Sequence, residues 1–509
     1  MKTVIDGIAK SFLSNEFEEK RFESWTSDNH YAIFAETGAG KSTLLLDKFT
    51  SWTEKQIPMK KILYLYNRKS MYEQFAKKYE QEHVNLTTST YQDIEARAKG
   101  IGVKDYIDSF DYILCDECHY FVSDAAFNEN TFLSYEAINN CNGTAIYITG
   151  TPHYFMKMVN KLHKPLKILR EVNHSNNNVK TISVIRSKQV IQDMQLKALN
   201  EGSKVVSFSN WISILQRMKE AAKEFKTAIL MAEENDKAYL MDLKVKNTIE
   251  NSTDENGNDI SNVFVDYLGC TSAYENGINF NIEGSVTVAF PTYINWTSLE
   301  QSRSRVRYFK NTIINMLVRI PHGITLNNLE AKYKKEIKEI KEIQTKKPKK
   351  EDMPFGYEIY NKYNDFALAY KDIQLHEVQK MKTVDNLIEY FKEKLHEFYP
   401  NAEIEVIDSN DLIDIDSVIE EFIGDNEEIN LIDIEDKERF INAINEVYKD
   451  KEHTGRKLKL NKISKIMKEL NSTYSLIKLP SPVKIKNAEG KATTTTVWKI
   501  LIKHLKKIK

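Results

Sequence analysis

The segment YAIFAETGAGKSTLLLDKF, residues 31–49, leaves little freedom for the fold around it. Tyr31 to Ala35 is short and mostly apolar and predicts a buried strand. Ser42 to Phe49 places apolar side chains at helical spacing, so a helix begins near Lys41. A strand, a glycine turn and a helix N-terminus in that order form an anion site, because backbone N–H groups converge and the helix dipole favours negative charge. Thr37, Gly38, Ala39 and Gly40 make the turn, and the two glycines let phosphate oxygens approach the main chain. Lys41 would then reach the β- and γ-phosphates of ATP, and Ser42, followed by Thr43, would offer its hydroxyl to Mg²⁺. A chance glycine-rich turn need have neither the strand before it nor the Lys-Ser pair after it.

A second constellation follows about 75 residues after Lys41, in FDYILCDECHYF, Phe110 to Phe121. Its apolar start predicts another strand ending in two carboxylates. Asp116 at the strand end can hold Mg²⁺ through water, and Glu117 can polarise an attacking water. After an edge strand such a pair would be a solvated surface feature. After a buried strand at this distance from a phosphate loop, it is the second half of a nucleotide site within one α/β domain. Cys115, Cys118 and His119 could suggest a metal, but Cys141 and Cys270 supply no second ligand pair at zinc-site spacing.

Composition sets the outer bounds. The chain has 509 residues, enough for about three domains, with 72 Lys and Arg against 73 Asp and Glu. Net charge therefore says nothing about a polyanionic partner; only the charge distribution can. Four cysteines and no signal-like N-terminus predict a reducing compartment, and no apolar run approaches the roughly 20 residues that span a bilayer. A soluble, cytoplasmic chain with no membrane partner is expected.

In chain order these pieces resemble the superfamily 2 helicases of DExH type. Ala35 stands where the usual phosphate loop has Gly, and A-x-T-G-x-G-K-[ST] resembles motif I of that superfamily. Asp116-Glu117-Cys118-His119 resembles motif II, which would set His119 between the ATP site and a nucleic-acid cleft. KKILYLYNRKSMYEQF, with Asn67-Arg68-Lys69, resembles motif Ia, and Thr90-Tyr91-Gln92 the next strand-contact motif; basic and amide groups at strand ends suit backbone phosphates. AIYITGTPH, with Thr149-Gly150-Thr151, resembles the hydroxyl-rich motif III. From about Thr181 the alternation of strand and helix restarts. KVVSFSNWISILQRMKEA resembles motif IV, and VFVDYLGCTSAYENGINF resembles motif V, with Gly277 in its turn near both nucleic-acid backbone and ATP. SLEQSRSRVRYF resembles motif VI, Q-x-x-x-R-x-x-R: Gln301 and Arg305 fit, the last arginine is Arg307, two residues on, and Arg303 is an extra candidate. The resemblance implies that Arg305 or Arg307 reaches the γ-phosphate from a second lobe, so that hydrolysis follows closure of a cleft.

This likeness covers about residues 30–310. DEAD-box RNA helicases read adenine with a Gln upstream of the phosphate loop, whereas the first Gln here is Gln56. Phe22 and Trp25 could stack on a base or simply fill a core. The compact Q-S-R-S-R-V-R end is similar to phage and plasmid replication helicases, with some flavour of herpesvirus origin-binding helicases.

The last part of the chain carries its charge in blocks. LNNLEAKYKKEIKEIKEIQTKKPKKEDMP predicts a solvent-exposed helix followed by a Lys-Pro linker, and the Tyr- and Phe-rich residues 355–400 predict a small helical domain. Residues 403–438 carry roughly 14 net negative charges and residues 451–509 roughly 13 net positive ones. KLNKISKIMKELN reads as an amphipathic helix, followed by a Lys-rich turn at Lys484 to Lys491 and the β-like TTTTVWKILIKHL; together they resemble a small winged-helix or helix-turn-helix module.

The architecture expected is α/β: two tandem RecA-like parallel-sheet domains at 1–180 and 181–330, then a charged linker and helical accessory region at 331–440, then a basic module at 441–509. The activity implied is an ATP-dependent DNA helicase or translocase of replication or recombination. Its partners would be single-stranded or forked DNA, a specific duplex held by the C-terminal module, and other replication proteins. An RNA helicase, an origin-binding ATP-gated clamp and a translocating subunit of a nuclease assembly remain open.

Overall fold

The computed structural model describes residues 3–5, 8–10, 13–36, 39–67, 77–100, 102–126, 128, 130–171, 179–231, 237–250, 263–271, 274, 280–345, 357–407, 418–419, 422, 428–432, 434–447, 459–469, 474–479, 483–486 and 492–502. Its first sheet is built from β1 (His30–Phe34), β2 (Ile62–Tyr66), β3 (Leu86–Thr90), β4 (Tyr112–Cys115), β5 (Thr144–Thr149) and β6 (Leu166–Arg170). All six strands run parallel, in the order β3-β2-β4-β5-β1-β6. HYAIF, ILYLY, YILC and TAIYIT are buried along their whole lengths, because helices cover both faces of a parallel sheet. Within β1, Ala32 and Phe34 enter one core while Tyr31 and Ile33 enter the other, the two-residue alternation of a strand. Phe22 and Trp25 belong to that second core, with ring centroids 5.0 Å apart.

The second sheet contains β7 (Val179–Ile185), β8 (Lys204–Phe208), β9 (Thr227–Leu230), β10 (Tyr267–Cys270), β11 (Phe280–Phe290), β12 (Val306–Arg319) and β13 (Glu403–Ile407). It too is all parallel, in the order β9-β10-β8-β11-β12-β7-β13. The two sheets make the tandem RecA-like pair of α/β domains expected from the motif order. Edge strand β13 falls within the stretch that charge marked as acidic. Its Glu-Ile-Glu-Val-Ile alternation is a strand pattern that the charge count conceals, and Ser183 Oγ donates to Glu405 at 2.6 Å.

Four long helices complete the frame. α1 (Trp296–Arg305) runs directly into β12. α2 (Gly323–Thr345) and α3 (Tyr357–Thr383) pack antiparallel, and α4 (Leu387–Phe398) packs on the second core. The sequence predicts α2 as a solvated helix, yet Leu326 and Ile337 are buried while its lysines face outward at i,i+4 spacing from glutamates. α3 forms no separate helical domain: Phe366 and Ala367 enter a core of the first lobe, Val378 and Met381 the core of the second.

The C-terminal module has its own core. β14 (Glu428–Leu431) is followed by α5 (Ile434–Val447), α6 (Leu460–Glu469), β15 (Tyr474–Lys478), the hairpin β16 (Val483–Lys486) and β17 (Ala492–Thr495), then β18 (Trp498–Ile502). β14, β18 and β15 form an antiparallel sheet with β18 central. Leu460, Ile463, Ile466 and Met467 of α6 enter the core with Leu431, Leu476, Trp498 and Ile500, leaving Asn461, Lys462, Lys465 and Lys468 exposed on the opposite face. Leu431 and Phe440 of the module's core lie in sequence before residue 441, inside the stretch expected to be accessory. Among the described residues no helix is long and apolar enough to cross a membrane.

Candidate active site between the two lobes

β1 is flanked by β5 and β6, and β5 separates it from β4, so the phosphate loop and the acidic strand end emerge at the same edge of the sheet. Gly40 turns the chain with φ of 84°, a left-handed conformation that a side chain would resist. Lys41 lies at the start of the helix and donates its Nζ to the Ala35 carbonyl at 2.9 Å. Ser42 precedes a π-helical turn, Thr43–Phe49, which continues as an α-helix over Thr50–Glu54 and buries Leu44, Leu45 and Leu46 together. Arg170 of β6 anchors the loop's entry, donating to the Phe34 carbonyl and to Glu36, both at 3.2 Å. Thr37 and Gly38 lie outside the described residues.

At the end of β4, Asp116 is buried. Tyr64 donates its hydroxyl to Asp116 Oδ2 at 2.5 Å, and the Glu117 amide donates to Oδ1 at 3.0 Å. Burial and the neighbouring charge of Glu117 push the Asp116 carboxyl up. Glu117 has φ of 47° and is the only non-glycine residue with positive φ among those described. Strain of this kind marks sites where surrounding structure imposes a geometry. Burial would push the Glu117 carboxyl up, but Lys41, His119 and Arg305 together hold it well below the usual range.

A polar chain crosses from one lobe to the other. Gln301 of α1 lies 2.7 Å, amide nitrogen to Nε2, from His119, whose Nδ1 is 2.9 Å from Thr149 Oγ1; that hydroxyl is 3.4 Å from Glu117 Oε2. The assignment that satisfies every group has Gln301 donating to His119 Nε2, His119 Nδ1–H to Thr149, and Thr149 to Glu117. A second bridge joins His153 Nε2 and Thr297 Oγ1 at 2.9 Å, with His153 kept neutral because burial pushes it down to about 4. Glu117, Gly150, Thr151, Glu300 and Gln301 line the cleft between the lobes.

The arginines separate by environment. Arg305 is buried and acts electrostatically on Glu117 from the second lobe. Arg303 points elsewhere: it pairs with Glu300 at 2.9 Å, and Tyr399 donates to the other Glu300 oxygen at 2.5 Å. Arg307 is the second residue of β12, in register with Asn281, and its side chain lies outside the described residues. Gly277 and its turn lie outside them as well.

Other motif residues have local partners. Thr90 caps the helix Tyr91–Ala98, accepting the Asp93 amide at 3.0 Å while Asp93 accepts the Thr90 amide at 3.2 Å. Asn67 is buried, and Arg68 and Lys69 lie outside the described residues. Burial pushes the Cys115 and Cys118 thiols up, and no three His, Cys, Asp or Glu residues converge on a metal site among the described residues. Tyr64 and the His153–Thr297 pair escape motif reading. Their only signal is one of two tyrosines in an otherwise apolar strand, a histidine that ends AIYITGTPH and a threonine just before SLEQSRSRVRYF.

Residues 77–154 match the family model of the Type III restriction enzyme, res subunit, a span that includes Asp116–His119 and Thr149–Thr151. No curated protein sequence matches the chain. Among solved structures, it is similar to the helicase MrfA bound to DNA, at 10% identity and a TM-score of 0.42, over 62% of this chain and 50% of that one. It is similar to the Mycobacterium smegmatis helicase Lhr bound to ssDNA and AMP-PNP, at 12% identity and a TM-score of 0.40, over 63% and 52%. It is also similar to a DEAD-box helicase bound to ssRNA and UDP-BeF, at 13% identity and a TM-score of 0.44, over 64% and 73%. The chain spans about half the length of the first two.

Proposed function

We propose that this chain is an ATP-dependent DNA helicase or translocase of superfamily 2, DExH type. The observation that carries the reading is the polar chain that runs from Gln301 of the second lobe through His119 and Thr149 to Glu117, a carboxylate on which the charges of Lys41 and Arg305 act from opposite lobes. A charge cluster split in this way is complete only when the lobes meet, which ties hydrolysis to the state of the cleft.

In this reading Lys41 binds the β- and γ-phosphate oxygens, with the amides of Ala39 and Gly40 beside it. Glu117, ionised and held low by its cationic neighbours, orients the attacking water rather than fully removing its proton. That suffices for a loose phosphoryl transition state, where positioning and charge stabilisation dominate. Arg305 stabilises the charge that spreads over the transferred group; Arg307 is the alternative finger. Gln301 and His119 carry the state of the second lobe to Glu117.

The donor set fits Mg²⁺. Ser42 and Asp116 offer hard oxygen ligands, and a cation beside Asp116 would relieve both its burial and its repulsion from Glu117. Bound there, Mg²⁺ would neutralise phosphate charge. The C-terminal module is read as the expected winged-helix-like element, with α6 offering Lys462, Lys465 and Lys468 to duplex phosphates.

ATPase rate against a panel of single- and double-stranded DNA and RNA tests the reading. Stimulation by single-stranded or forked DNA is expected. Stimulation by RNA alone would make the chain an RNA helicase, dependence on one duplex site an origin-binding clamp, and no response to any nucleic acid would end the motor reading. The match of residues 77–154 to a res subunit favours one second reading, a translocating subunit that needs a nuclease partner chain.

A further inference from the structure

We propose that Glu377 of α3 is a positioning residue for Arg305: it holds the N-terminus of α1 on a rod whose other end is seated on the first lobe. This rests on the ATPase reading above and names a part of the machine that no motif contains.

The first turn of α1 has amides that need partners. Asn295 Oδ1 accepts the Ser298 amide at 2.9 Å, while the Trp296 amide donates to the Glu377 carboxylate. Tyr293 adds its hydroxyl to Glu377 Oε1 at 3.1 Å. By accepting the first amide of α1, the Glu377 carboxyl fixes where the helix begins. Arg305 lies at the far end of the same helix, and Gln301 lies one turn before it.

The rod itself spans the lobes. Asp365 pairs with Lys161 at 2.9 Å, Phe366 packs edge-on against Tyr135 at 5.1 Å, and Tyr370 lies 5.3 Å from Tyr154, all on the first lobe. Glu377 lies eleven residues beyond Phe366, about 16 Å along a rigid helix. The next turn, with Val378 and Met381, is embedded in the core of the second lobe. Tyr154, Tyr293, Tyr333 and Tyr390 surround the carboxylate and Lys394 is the cation acting on it. Any change in how α3 sits on the first lobe is therefore delivered to the start of the arginine helix. Misplacement of a catalytic group by about 1 Å is enough to lower a rate by up to about a hundredfold.

The test compares the 509-residue chain with its Glu377→Gln, Tyr293→Phe and Arg305→Ala variants, and with Glu377→Gln and Tyr293→Phe each combined with Arg305→Ala. It reads steady-state ATPase with single-stranded DNA, single turnovers for the Arg305→Ala background, and thermal unfolding. Glu377→Gln should lower kcat between about tenfold and about a hundredfold with KM for ATP held within about twofold. It should cost nothing further once Arg305 is gone, because it acts through that arginine. An unchanged kcat, or an equal loss in both backgrounds, overturns the proposal and leaves Glu377 a purely structural group. Should Glu377→Gln not fold, Tyr293→Phe removes one donor only: a loss of about threefold confined to chains that keep Arg305 supports the proposal, and no loss overturns it. A wild-type chain with no ATPase on any nucleic acid overturns the functional reading itself, and this one with it.

Discussion

The amide of Gln301 and the imidazole of His119 meet at 2.7 Å across the boundary between the two lobes. They stand 182 residues apart in the chain, and the other ring nitrogen of His119 leads through Thr149 to Glu117. The second lobe is thus wired by hydrogen bonds to the carboxylate expected to orient water.

Replacing Gln301 by Leu should break this link without touching the phosphate loop. The expected outcome is an ATPase whose stimulation by DNA collapses while nucleotide affinity holds, measured as the ratio of rates with and without single strands. A variant that keeps full stimulation would show that the bridge carries no signal.

Lys41→Ala and Glu117→Gln should fail in different ways. Both should lower kcat by about 10²–10³, the usual cost of removing one transition-state contact. Only Lys41→Ala should also weaken nucleotide binding, since Lys41 is expected to touch phosphate directly. Fluorescent-nucleotide titration separates the two; equal weakening would place Glu117 on the nucleotide instead of the water.

Arg303 and Arg305 should part cleanly. Arg305→Ala should abolish most turnover. Arg303→Ala strands Glu300 in a buried ion pair, a loss of about 3 kcal/mol that should appear as a lower midpoint. Reversed results would exchange their roles.

Glu377 should make stability depend on pH. Its carboxyl titrates at about 7 in the folded chain against 4.5 for the unperturbed group, chiefly because it is buried. The stability it contributes as a neutral acid is complete below 4.5 and is lost as pH rises through 7, because the unfolded chain gives up the proton first. The tyrosines around it are pushed above their usual range and do not titrate in that window. Denaturant melts from pH 5 to 8 should therefore slope downward more steeply for the wild type than for Glu377→Gln.

The exposed lysines of α6 should set the salt dependence of duplex binding. Each of Lys462→Ala, Lys465→Ala and Lys468→Ala should flatten the slope of log affinity against log salt by about 0.9 per lost phosphate contact. Slopes unchanged in the triple variant would move the duplex site off α6.

How much could be read in advance follows the range of the forces involved. The turn at Gly40, the acidic strand end and the two parallel sheets were legible because each is written in short-range terms: a glycine where φ is positive, apolar runs for strands buried on both faces, a helix beginning at Lys41. Spacing favoured Arg305 or Arg307 as the finger and left Arg303 an extra candidate. Packing separated Arg303 from Arg305, turning Arg303 into Glu300 and Tyr399 while aiming the charge of Arg305 at Glu117. The same holds for β13, whose strand alternation was masked by its charge until β7 offered an open edge, and for α3, whose two ends enter different lobes. Contacts between residues a hundred or more positions apart depend on which surfaces the finished domains present to one another, and no local pattern encodes that.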